Sequence, residues 1–196
     1  MARRGYDMGA RAAAQERTRE AILDAAVQLF DGAWYDQVTL ADVARRAGVS
    51  QQTVVNHFGS KIGLYLAGVA ERFAPLVRAD RARAVPGDVA SVVETVVRDY
   101  ERTGDSTWRT VALVEREPAL RELFEGGRRA HREFVEEVFA PQLAGRRGAR
   151  RERLVQLLAT TLEVGTWHSL RRDAGLDQET TASHLRALVE AVLAAG

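Results

Sequence analysis

Three observations predict an all-α protein. Apolar residues recur at three- and four-residue spacing along the chain of 196 residues, and strand-like alternation and hairpin dipeptides are missing. Gly, Pro and small capping residues also stand where such helices would stop and start. The periodic segments are short up to about residue 74 and longer beyond it, which predicts two domains of unequal size, 15–74 and 75–196, behind a short N-terminal arm.

Residues 1–14 mix Arg, Ala and Gly and are expected to form a flexible basic arm. From Gln15 to about Phe30, the residues Ile22, Ala26, Leu29 and Phe30 fall at i, i+4, i+7 and i+8, one face of a helix. The stretch DGAWYDQV breaks that pattern. Thr39 then caps a second helix, TLADVARRAG, with Asp42 in its first turn. Leu40, Val43, Ala44 and Ala47 form its apolar face, and Gly48 fits the left-handed position past its end. Ser50 caps a third, very short helix from Gln51 to His57, which FGS ends. Ser60 caps a fourth, expected to stop near Phe73 ahead of Pro75.

Beyond Pro75, VPGDVASVVETVVRDYERTGD reads as one helix and STWRTVALVERE as the next. PALRELFEGGRRAHREFVEEVFA follows, with Pro118 at its start and Pro141 just past its end. A basic loop, AGRRGARR, leads to two final helices, ERLVQLLATTLEVGTWHSLRRD and ETTASHLRALVEAVLAA.

Composition narrows the function. Apolar residues at 46% and charged residues at 28% are ordinary for a globular protein. A net charge of +1 means that any nucleic-acid surface is local. The absence of cysteine excludes disulfides, thiolate chemistry and cysteine-bound metal together. No run approaches 18 apolar residues, so no membrane span is expected. The opening residues hold arginines but no apolar stretch, so no signal peptide is expected and a cytoplasmic location follows.

Within this frame one window stands apart. From Val43 to Ala70 there is no Asp or Glu, although about one residue in seven of the chain is acidic, and the window holds the only lysine, Lys61. Two short helices joined by AGVS have helix-turn-helix proportions, with QQTVVNH as the segment that enters the DNA major groove. Val54 and Phe58 can pack inward, while Gln51, Gln52, Thr53, Val55, Asn56 and His57 compete for the groove face. Gln and Asn can pair bidentately with adenine, and Val or the Thr methyl can meet a thymine methyl. Gln51 or Gln52 can alternatively bond phosphate. Lys61 opens the next helix, where ammonium and helix end would attract one phosphate jointly. Arg45 and Arg46 either add phosphate contacts or complement the end of the second helix.

TREAILDAAVQLF followed by YDQVTLADVARRAGVSQQTVVNHFGSKIGL resembles the N-terminal domain of TetR-family (tetracycline-repressor-like) transcriptional regulators, over about residues 17–70. The resemblance implies a three-helix helix-turn-helix DNA-binding domain, a fourth linking helix, and a larger helical domain for ligand binding and dimerisation. It also implies a homodimer on a palindromic operator, usually repressing and released by a small molecule. By position, Thr39 would contact phosphate, Gln51, Gln52, Thr53, Val55, Asn56 and His57 would lie on or near the recognition surface, and Lys61 would hold phosphate. The chain departs from the family at Val55, where tyrosine is usual, and at Trp34, where glycine is usual.

The last two helices carry the stripes Leu157, Leu158, Leu162 and Gly165, then Leu185, Leu188, Val189 and Val192. Such stripes read first as core. In the family the corresponding helices of two subunits form a four-helix interface, which makes Leu158, Leu162, Gly165, Leu185, Leu188, Val189 and Val192 the dimer candidates. Tyr100, Trp108, Phe124, His131, Phe134, Trp167 and His168 are candidates for an apolar effector pocket with a few oriented polar groups, although aromatics at helical spacing are more often core and the two histidines also read as core or surface residues. Gly126 and Gly127 inside a helix leave room for close packing or a ligand.

Catalytic patterns are missing. There is no Glu-x-x-His for a di-iron bundle and no His-Glu-x-x-His, and GSKIG matches neither a nucleophile elbow nor a phosphate loop. No cofactor, no metal and no enzymatic activity are expected. The expected function is ligand-responsive repression by a homodimer that binds double-stranded DNA at a palindromic operator and is released by a small hydrophobic effector. The alternative is a TetR-like fold that has lost DNA binding and serves as a small-molecule-binding or scaffold protein. Val55 favours that alternative; Lys61 and the acid-free window oppose it.

Overall fold

The computed structural model describes residues 3–114 and 117–195. The chain divides into two compact units, Met1–Pro75 and Leu76–Gly196.

The first unit begins with helix α1, Arg3–Gly32. The flexible arm expected over 1–14 is therefore helical from Arg3, while residues 1–2 lie outside the described residues. Ala, Arg, Gln and Glu are strong helix formers, and no proline interrupts the run Ala10 to Glu20; Gly9 costs only ~1 kcal/mol. A one-turn 3-10 helix, Tyr35–Gln37, leads to α2, Leu40–Ala47, and α3, Gln51–Phe58. Gly48, at φ 69°, closes α2 in the left-handed region and donates its N–H back to Ala44 and Arg45. Ile22, Leu23 and Ala26 of α1 meet Val43 and Ala44 of α2, Val54 of α3 and Leu64 beyond it, all buried in one core.

Helix α4, Lys61–Gly68, passes through a π-helical turn, Val69–Phe73, into α5, Ala74–Arg81, and the boundary between the units falls within α5. The expected stop near Phe73 is thus corrected. Pro75 has no N–H to give and would crowd the carbonyl four residues back. The widened turn, in which Ala74 N–H reaches Val69 O, lets the helix run on.

In the second unit α6, Val89–Leu113, runs without interruption through Thr103, Gly104 and Asp105, where the sequence predicts two helices. Glu115 and Arg116, at the end of the expected second one, lie outside the described residues. Gly104 acts through packing: a Cβ there would stand 2.4 Å from Cζ3 of Trp167, so the missing side chain admits an indole against the backbone. A 3-10 turn, Pro118–Leu120, precedes α7, Arg121–Val138, and α8, Ala140–Leu143, follows it. The next expected helix is divided into α9, Gly148–Thr161, α10, Val164–His168, and a π-helical turn, Ser169–Asp173. At the break the Tyr100 hydroxyl donates to Leu162 O at 3.1 Å, supplying the partner that a continuing helix would have given. Helix α11, Gln178–Ala195, packs on α6 and α9, α7 packs on α9, and α10 packs on α6. Val92, Val96, Phe139, Leu154, Leu158, Trp167, Leu185 and Val189 fill the space between them.

Candidate nucleic-acid interface and effector site

Helix α3 is short and held at both ends. Ser50 Oγ accepts from Thr53 N–H at 3.1 Å, and Gly59, at φ 72°, donates to Val55 O at 2.8 Å. Val54 is fully buried, which turns Gln51, Gln52 and Asn56 out to solvent, with Thr53, Val55 and His57 half-buried at the edges of that face. Gln52 Nε2 donates to Asn56 Oδ1 at 2.9 Å. The pair forms an amide ledge one helical turn long, with an acceptor left on Gln52 and two donors on Asn56.

The flanking helix starts are built to match. Thr39 and Asp42 form a reciprocal cap: Asp42 N–H donates to Thr39 Oγ1 at 3.1 Å, and Thr39 N–H donates to Asp42 Oδ2 at 3.1 Å. The Thr39 hydroxyl also donates to Asp42 at 2.6 Å, and these bonds hold the Asp42 carboxyl below its ordinary value. Ser60 caps α4 by accepting from Gly63 N–H at 3.1 Å. Gly63 is required there, because a Cβ would lie 2.4 Å from Phe58 O. The Lys61 ammonium sits 4.1 Å over the Tyr35 ring, whose other neighbours are Phe30 and Tyr65. Tyr35 as the platform for Lys61 was not legible in the sequence; only a basic residue and an aromatic 26 positions apart hint at it.

Neighbouring arginines are engaged in bracing. Arg46 bonds Gln28 Oε1 on α1 at 3.0 Å, and Arg45 pairs with Asp42. Arg19 of α1 binds Glu71 at 2.8 Å, and Arg72 binds Asp24 at 2.9 Å and also Glu20. Both acids that bound the acid-free window, Asp42 and Glu71, are therefore neutralised by arginine, and the Arg19 bond draws the Glu71 carboxyl below its usual range. Trp34 adopts an extended backbone, φ −67° and ψ 146°, so the residue that replaces the family's glycine introduces no strain.

Residues 22–67 match the sequence pattern of bacterial regulatory proteins of the tetR family. Its helix-turn-helix unit is thus of the TetR type. Over 64 residues it is 42% identical to the HTH-type transcriptional regulator AlkX of Mycobacterium tuberculosis, a match that spans 31% of this chain and 30% of that relative. A TetR-family regulator structure from Rhodococcus superposes over 90% of this chain and 98% of its own, with a TM-score of 0.71 at 21% identity. A structure of SmeT in complex with triclosan covers 91% and 90%, with a TM-score of 0.62 at 21% identity. The curated relatives thus match over less than half of their length, within the helix-turn-helix unit, and the solved structures extend the likeness of fold across the second unit.

In the second unit the seven effector candidates do not share one cavity wall. Tyr100, Phe134 and Trp167 are core, and Trp167 is wholly buried. His131 is locked in a polar cluster: Arg81 donates to His131 Nδ1 at 3.1 Å and to Asp99 at 3.0 Å, and His131 Nε2 faces Ala159 O at 2.9 Å. Nδ1 accepting from Arg81 makes Nε2–H the donor to Ala159. Burial first, and Arg81 second, push the His131 imidazole down to about 4. Burial pushes the Asp99 carboxyl up against the pull of Arg81. Trp108 and His168 stack at 4.4 Å, both half-buried, beside Gly165. Phe124 lies apart, with Arg128 5.4 Å above its ring. A groove between α6 and α11, lined by Glu94, Val97, Arg98, Gln178, Ala182 and Arg186 among others, contains none of the seven.

The dimer candidates divide as sharply. Leu158, Leu162, Leu185 and Val189 are fully buried within one chain, which corrects their assignment to a surface between two chains. Helices α9 and α11 present their regular apolar stripe to α6 and α7, so the buried positions are used up inside the bundle. Gly165 faces the Trp108 ring, and Val192 is half-buried against the core. Leu188 is 44% exposed, and Leu157, on α9, is 40% exposed. Helices α9 and α11 thus each keep one exposed leucine.

Proposed function

We propose that the protein is a cytoplasmic DNA-binding transcriptional regulator that binds a palindromic operator as a homodimer and is released by a small hydrophobic effector. The observation that carries the reading is the amide ledge of Gln52 and Asn56, with Gln51 exposed beside it, on a helix whose opposite side, Val54, is fully buried. Such a helix projects hydrogen-bonding groups at a spacing suited to base edges, while the start of α4 with Lys61 offers a phosphate site. Thr39 takes its phosphate through the α2 end, whose first N–H groups lack intrahelical partners, since its hydroxyl hydrogen is occupied by Asp42. Leu157 and Leu188 carry the dimer contact. The effector enters beside Trp108 and His168, the stacked pair that is only half-buried, and the triclosan complex of SmeT shows that a protein of this fold accommodates a small molecule.

Selection of bound sequences from random duplexes tests the reading. The expected product is a pair of inverted half-sites about one duplex turn, ~34 Å, apart. Asn56→Ala is expected to change base preference at one position by ~1–3 kcal/mol, and Lys61→Ala to weaken cognate and scrambled duplexes alike. No enrichment at all would leave the small-molecule-binding or scaffold role in its place.

A further inference from the structure

We infer that the groove between α6 and α11 binds a small zwitterion of the amino-acid type, with one carboxylate and one ammonium on a short apolar body. The site is independent of the DNA-binding reading, and neither Trp108 nor His168 lines it.

On α6, Asp99, Glu101, Arg102 and Asp105 each hold an ion pair, with Arg81, Arg171, Asp80 and Arg172. Arg98 stands beside them, is exposed, and makes no ion pair or side-chain hydrogen bond among the described residues. Glu179, in the first turn of α11, is also exposed and likewise has neither. The two carry opposite charges and line the same groove, yet they do not pair with each other. A cation and an anion held apart in one hollow complement a molecule that carries the reverse pair.

Arg186 adds an unused donor. Its Nη2 reaches Glu94 Oε1 at 3.4 Å, a long bond, while its Nε is shut off from solvent and has no hydrogen-bond partner. A buried donor is unfavourable to leave unmet, and the planar arginine fork matches a carboxylate. Arg98 and Arg186 therefore take the carboxylate, and Glu179 takes the ammonium. Glu94 already balances Arg186, and Glu179 offsets Arg98, so these four side chains carry no net charge. A simple anion or cation would upset that balance, whereas a zwitterion keeps it.

Val97, 1% exposed, and Ala182 supply apolar surface for the ligand's side chain, in a space of about 590 Å³ that suits a small molecule. On α11, Arg186 and Leu188 point about 160° apart at 3.6 residues per turn, so a second subunit covering Leu188 leaves the groove open.

The test records methyl NMR spectra of the full chain, with Val97 and Ala182 assigned, as each common amino acid is added to about 10 mM. At least one with an apolar side chain is expected to move both methyl signals and leave the Trp108 indole signal in place. The matching acid without its ammonium, and the matching amine without its carboxylate, are expected to bind about tenfold more weakly, each having lost one charged contact. Arg98→Ala and Glu179→Gln are each expected to lose a similar factor, and Arg98→Lys to keep part of the binding. Both positions are exposed, so the variants keep their fold, which circular dichroism verifies. No shift with any amino acid overturns the site, as do shifts at Trp108 with none at Val97 and Ala182. Equal binding of the acid or the amine overturns the zwitterion, and unchanged binding by both variants removes the assigned contacts and the proposal with them.

Discussion

At Gly104 and Gly127 the same residue type performs opposite roles, and neighbours decide which. Gly104→Ala gains ~1 kcal/mol of helix propensity but drives a methyl group to 2.4 Å from the Trp167 ring. The ring is wholly buried and has no room to retreat, so a net loss of ~1–3 kcal/mol is expected. Gly127, inside α7, has nothing within 4 Å of an added Cβ, and Gly127→Ala is expected to stabilise by ~0.5–1 kcal/mol. Urea denaturation of the two variants checks the opposite signs. His131 adds a pH dependence. Its folded value of about 4 lies below the ordinary 6.5, so between these values the unfolded chain binds more protons than the folded one. The contribution is complete above pH 6.5 and lost as pH falls toward 4, up to about 3 kcal/mol. His131→Gln is expected to flatten that part of the stability profile. Taking the difference between wild type and variant removes the opposite slope that Asp99 brings.

Among the helices, α3 shows how little local propensity is needed when caps and one buried side chain are in place. It has eight residues, too few to persist alone, and Val54, Ser50 and Gly59 locate it. Ser50→Ala is expected to cost ~1 kcal/mol and to speed amide exchange at the start of α3 more than in α1, as hydrogen exchange by NMR would register. These caps were visible in the sequence, because Ser, Gly and the apolar spacing are local signals. The uninterrupted α6 and the divided α9–α10 were not. The first depends on an indole brought from 63 residues away, and the second on a tyrosine hydroxyl from 62 residues away.

For the whole molecule, the proposed homodimer rests on two leucines that the bundle leaves outside. Leu157→Glu/Leu188→Glu is expected to yield a folded monomer by analytical ultracentrifugation, since each position is about two-fifths exposed. Leu158→Glu is expected to unfold the second unit instead, because that side chain has no exposure and a buried carboxylate would be unpaired. A wild-type chain that sediments as a monomer at micromolar concentration would remove the dimer from the functional reading.

Periodicity, caps and the acid-free window were enough to establish a helical chain, its short N-terminal helices and Val54 as an inward residue of α3, while the structure chose Gln51, Gln52 and Asn56 from the six candidates for its exposed face. Each of the first three is written in residues close together in sequence. Tertiary structure alone assigned Leu158, Leu162, Leu185 and Val189 to the core, placed Lys61 over Tyr35, and joined Arg81 to His131 and Asp99. An apolar stripe states that a helix must bury one side. Which neighbour buries it depends on how all the helices share a limited interior, and that is a property of the assembled bundle.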